Sequence, residues 1–164
     1  MNDEKGQLSG EYMLLVGSLI VVLMISIFMI ANENELNIAM AAAKSGADEG
    51  VASSSSAIYP KETFNEYDDM EGLKHPYSVS IVNVSYNSSG MNENYGKQKI
   101  QFKVYAKASV DYNKKELDSI GDRINYNLRK SVATSFNTAD STNKLYNPVF
   151  SNNYVFTTAN VVWV

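Results

Sequence analysis

From Tyr12 to Asn32 the chain carries 21 consecutive residues without a formal charge, bounded by Glu11 and Glu33. Coiled as a helix, such a run spans roughly 30 Å, the thickness of a bilayer's hydrocarbon core. Its residues, from Met13-Leu14-Leu15-Val16 to Ile27-Phe28-Met29-Ile30-Ala31, are apolar on every face, with only Gly17, Ser18 and Ser26 intervening. An amphipathic helix of a soluble domain would show a polar stripe, and none is present. The sequence therefore predicts a membrane-inserted helix near the N-terminus.

An ordinary secretory signal peptide fits poorly. It has a basic leader, an apolar stretch of roughly 7–15 residues and small residues at the cleavage point. Here Met1-Asn2-Asp3-Glu4-Lys5-Gly6 holds two acids and one lysine, and Met29-Ile30-Ala31 is a poor small-x-small site. Ala39-Met40-Ala41 has the right form but follows a polar stretch. An uncleaved anchor remains open on physical grounds alone.

The residues on the N-terminal side of the run are more specific. Lys5-Gly6-Gln7-Leu8-Ser9-Gly10-Glu11-Tyr12 resembles the class III signal peptide of archaeal type IV pilin-like proteins. The family pattern Gln-x-Ser-x-Glu is met at Gln7, Ser9 and Glu11, directly before the apolar run. The resemblance covers about the first 35 residues and implies cleavage between Gly6 and Gln7 by a membrane-embedded prepilin peptidase. The mature chain would then have 164 − 6 = 158 residues. It also implies a role for Glu11: a carboxylate packed inside a filament core needs a cation, and the N-terminal amine of a neighbouring subunit supplies one. The other reading of Glu11 is an interfacial residue.

Four segments are expected: a leader (1–6), an apolar helix (7–32), an extracytoplasmic continuation of that helix (33–59) and a globular head (60–164). No proline precedes Pro60, so one helix is expected from about Leu8 to the Ser53–Ser56 cluster. Leu36, Met40, Ala43, Ala47 and Val51 recur at helical spacing and predict a face that docks on the head. Ala41-Ala42-Ala43 would also permit close approach between subunits, but packing within one subunit is preferred. Two antiparallel strands are expected over 77–84 and 100–110, the second alternating apolar with polar residues, joined by a loop from Asn87 to Gly96. Leu117, Ile120, Ile124, Leu128 and Val132 mark a helix from Lys114 to about Phe136. One or two strands close the chain between Tyr154 and Val164. The expected fold class is α+β: a long N-terminal hydrophobic helix carrying a head of one small antiparallel sheet and one additional helix.

Chemistry is sparse. Without cysteine there are no disulfides and no thiolate metal sites. His75 is the only histidine, in an apparent loop, so catalysis is not expected. The acidic stretch holding Glu62, Glu66, Asp68, Asp69 and Glu71 lacks the residue order of a calcium loop and reads as solvated charge. No cofactor is implied. A net charge of −4 gives no general attraction to nucleic acid. Asn83-Val84-Ser85 and Asn87-Ser88-Ser89 fit the N-glycosylation acceptor pattern, Asn83 at a strand end and Asn87 in a loop. Residues 33–71 carry nine acids and two lysines, whereas residues 97–130 carry nine basic residues and four acids. The two regions either pair within the molecule or meet between subunits.

The function this reading supports is structural: a pilin-like subunit in the membrane before assembly, then part of a cell-surface filament with identical or related subunits. Its head would contact cell or abiotic surfaces. The alternative is a minor pilin, or an anchored surface-binding protein that never polymerises.

Overall fold

The computed structural model describes residues 3–52 and 78–164, with side chains from Gly10 onward in the first span. The expected acidic loop from Lys61 to His75, with His75 and the five carboxylates, lies outside the described residues, as do the Ser53–Ser56 cluster and Tyr77. The chain divides into two compact units, Met1–Leu36 and Asn37–Val164.

Helix α1 spans Asp3–Ala52, so helical backbone begins five residues before the expected Leu8. The strands β1 (Val79–Asn92), β2 (Lys97–Ala108), β3 (Val149–Phe150), β4 (Tyr154–Thr158) and β5 (Val162–Trp163) form one sheet, and helix α2 covers Lys114–Ser135. The α+β class is as expected: a long apolar helix, a small sheet and one further helix. The sheet order is β1-β2-β4-β3, with β5 also pairing to β2. The expected antiparallel pair is β1 with β2, and β3 with β4 is antiparallel too. The C-terminal strands instead join β2 in parallel, making the sheet mixed. Parallel neighbours require a crossover connection, and α2 lies between β2 and β4 in the chain.

The hairpin is longer than expected. β1 continues through Asn87 to Asn92, and the turn is confined to residues 93–96. There Gly96 has φ +60 and its N–H donates to the Asn92 carbonyl at 2.8 Å, a backbone conformation that glycine adopts without a Cβ clash. Gly90, at φ +80, falls in the register irregularity between Ser88 and Met91.

α2 starts at a capping box. The Asn113 side chain accepts from Glu116 N–H at 3.0 Å, while Asn113 N–H donates to Glu116 Oε2 at 2.9 Å. Two orphan donors of the first turn are thereby satisfied. On β2 the buried residues are Ile100, Phe102, Val104 and Ala106, alternating with Gln101, Lys103, Tyr105 and Lys107 as the period of two requires. Ile120, Ile124, Leu128 and Val132 of α2 are buried, and Phe102, Phe156 and Phe136 form a stack with ring centroids 5.6 and 5.8 Å apart.

The segment of α1 beyond Asn37 docks on α2, as the stripe predicted, but its centre differs. Ala39, Ala42, Ala43, Gly46, Ala47 and Gly50 are buried, while Leu36, Met40 and Val51 are only half-buried. A Cβ placed on Gly46 would lie 2.6 Å from the Asn127 carbonyl oxygen and 2.8 Å from Leu128 Cα. One on Gly50 would lie 2.8 Å from Ile124 Cα. The two helices thus meet backbone to backbone, and the small residues are what permits it.

α2 is enclosed on a second side by the C-terminal chain, which explains why several of its polar residues are buried. Arg129 Nε donates to the Leu145 carbonyl at 3.0 Å and its Nη1 to Thr158 Oγ1 at 2.5 Å. Asn127 Nδ2 donates to the Arg123 carbonyl at 3.0 Å. These bonds replace the water that burial removes.

Candidate assembly surface

In the first unit, fifteen large apolar residues between Tyr12 and Ile30 are each 51–76% exposed, Leu14 and Met13 most of all. Withdrawing them from water is worth roughly 1–2 kcal/mol apiece, so on the order of 15–30 kcal/mol in gross. A surface of that size requires an apolar environment, either lipid or protein. Among the described residues, this is the one helix long and apolar enough to cross a membrane.

Its two serines are compatible with such surroundings. Ser18 Oγ donates to the Leu15 carbonyl and Ser26 Oγ to the Val22 carbonyl, each at 2.8 Å. Both hydroxyl protons are thus satisfied within the helix, removing the main cost of taking them out of water. Around Gly17 there is nothing within 4 Å of where a Cβ would stand.

Glu11 is exposed, one residue before the apolar run. Gly6, Gln7 and Ser9 lie on the first turns of the same helix. The residues of the Gln-x-Ser-x-Glu pattern are therefore continuous, in one helix, with the span they precede in sequence.

In the head, Asn83 and Asn87 are both exposed. The structure corrects their setting: Asn87, expected in the loop, stands on β1 opposite Gln101, and Asn83, expected at a strand end, lies inside β1 opposite Tyr105. Lys103 and Lys107 are also exposed on the hairpin. Of the expected acidic region, Glu33, Asp48 and Glu49 are exposed on α1.

Sequence reasoning missed two features of the head. One is the Gly46/Gly50 contact, whose available signal was two glycines four residues apart beside an alanine-rich stretch. The other is a polar cleft beside α2, assembled from residues some forty positions apart, for which no local pattern exists. No protein-family model, no curated protein and no solved structure matches the chain.

Proposed function

We propose that this chain is a structural subunit of an archaeal type IV pilus-like surface filament. A prepilin peptidase removes Met1–Gly6, leaving Gln7 as the first residue. The apolar helix holds the precursor in the membrane and then forms the filament core. The head faces solvent and carries adhesion. The observation that supports this most is the uninterrupted, outward-facing apolar helix adjoining Glu11. It is large enough to need a partner on every face, as a filament core provides. Contacts of one kind repeated between identical subunits generate a helical polymer without any cofactor.

N-terminal sequencing and intact-mass measurement of the protein recovered from surface filaments test this reading. The expected product begins at Gln7 and has 158 residues, 164 − 6. A chain that starts at Met1 or after Ala31, or that never leaves the membrane fraction, would overturn it.

A further inference from the structure

The cleft beside α2 has a volume of about 390 Å³, within the range of small-ligand sites of about 300–1,000 Å³. One wall is the N-terminal half of α2, where Asp118, Asp122 and Asn125 fall at helical spacing on one face. The opposite wall is the C-terminal chain, with Asn160 and Trp163, and Lys114 stands at the margin. Gly121 forms part of the lining. A Cβ there would be in ordinary contact with Val161 at 3.4 Å and with the Trp163 ring at 4.0 Å, so a side chain at this position would take up part of the lining.

Asn125 is the most constrained of these groups. It is 6% exposed, its Nδ2 donates to the Ala159 carbonyl at 3.0 Å, and its Oδ1 has no hydrogen-bond partner. A buried acceptor in that state carries a desolvation cost, which a donor reaching it from the cleft side would relieve. Around it are two carboxylates, which accept, and the Asn160 amide, which does both. Trp163 is half-exposed and brings an indole, a large apolar ring, into the lining.

We infer that this cleft binds a neutral saccharide. A pyranose ring offers apolar C–H groups on its faces and hydroxyls around its rim, the combination that one indole and several acceptors can satisfy together. Lys114 against Asp118 and Asp122 leaves the lining with one net negative charge, +1 − 2 = −1, which disfavours anionic sugars. Metal binding is a poorer match, since no three metal-ligating side chains converge among the described residues. The inference stands apart from the filament reading, because a head could bind saccharide in any assembly state.

Trp163 is the chain's only tryptophan, so its emission reports on this cleft alone. The full chain, solubilised in detergent, would be titrated with maltotriose, mannotriose and chitotriose, with trigalacturonate and choline as charged comparisons. At least one neutral trisaccharide should give a saturable emission change and protect the indole from acrylamide quenching. Asp118→Ala, at an exposed position, should weaken that binding at least tenfold with an unchanged circular dichroism spectrum. Gly121→Ala should weaken it by narrowing the cleft. No saturable change with any of the three sugars would overturn the proposal. So would equal binding by Asp118→Ala, or an equal response to choline or trigalacturonate.

Discussion

Replacing Gly46 by alanine should destabilise the head, although the same change in an exposed helix is stabilising by about 1 kcal/mol. The difference lies in what the new methyl group meets. Its nearest neighbours are the Asn127 carbonyl oxygen at 2.6 Å, Ser131 Cβ at 2.7 Å and Leu128 Cα at 2.8 Å. None of these is the far end of a flexible side chain. Restoring ordinary contact at 3.4 Å requires α1 and α2 to separate by 3.4 − 2.6 = 0.8 Å. A gap of that width forfeits about a quarter to a half of the dispersion well for each atom pair across it. Here it would open along the line where Gly46 and Gly50 meet Ile124, Asn127 and Leu128 of α2. Overpacking of this kind costs about 3 kcal/mol, at the upper end of the usual range. After the propensity gain, the net loss is about 2 kcal/mol.

The assay is thermal unfolding of the detergent-solubilised chain, followed by circular dichroism. For a unit of this size the loss corresponds to a fall in Tm on the order of 5–10 °C. Gly50→Ala should cost less, because only one neighbour, Ile124 Cα at 2.8 Å, comes under 3.0 Å. Ser45→Ala, one residue from Gly46 but exposed, should stay within about 0.5 kcal/mol of wild type. A Gly46→Ala protein that melts at or above wild type would refute the backbone-to-backbone contact.

Three further outcomes are expected. Glu11→Ala should leave membrane insertion intact and reduce filament yield, since an unpaired ammonium in a buried core costs about 3–5 kcal/mol; comparison of membrane-bound and filament-bound protein at matched expression checks this, and equal yield would make Glu11 merely interfacial. Arg129→Ala should lower head stability by about 2–4 kcal/mol in thermal unfolding, because it removes the bonds to Leu145 and Thr158 and leaves a void where the guanidinium lay. Burial, followed by the neighbouring Tyr146 hydroxyl, holds the Tyr126 hydroxyl above its ordinary pKa, against a smaller opposing effect of Arg129. The folded state therefore keeps this proton more tightly than the unfolded chain does, so the associated stability is full below about pH 10 and is lost as pH rises through the raised folded value. Tyr126→Phe should flatten the alkaline fall in Tm, and an unchanged slope would rule out that contribution.

Much of the architecture was legible because two periodicities are strong. The uncharged run from Tyr12 to Asn32 and the alternation from Ile100 to Ala106 each leave one physical solution. The stripe on α1 was legible in direction and at Ala43 and Ala47, which are buried as expected, but the pattern also gave weight to Leu36, Met40 and Val51 and none to glycine. Packing gave it to small ones: Gly46 and Gly50 approach α2 more closely than Leu36 or Met40 could. The stretch from Asn87 to Asn92 looks like a loop because Asn, Ser and Gly have poor strand propensity. Its ladder to β2, from Asn87 opposite Gln101 to Asn92 opposite Lys97, outweighs that preference. The parallel pairing of β4 was available in principle, since a strand, a helix and a strand in succession favour a crossover. The cleft was not, because Asp118 and Trp163 come together only when the tail returns past α2.

The division of labour along α1 narrows what its two halves can do. The segment beyond Asn37 is rich in glycine and alanine, residues that serve equally well for contact between helices of different molecules. That surface is already occupied: α2 fills it to backbone contact at Gly46 and Gly50. A neighbouring subunit could use it only by displacing α2, which also carries Ile124, Leu128 and Val132 of the core. Residues 10–31 have the opposite character, with large side chains and no occupant among the described residues. Association through them needs no rearrangement of the head. Contact that buries the apolar span therefore leaves the packing of α2 at Gly46 and Gly50 untouched. Substitutions in that span, such as Leu14→Ser or Phe28→Ser, should act on insertion and assembly and leave the head's melting transition where it is.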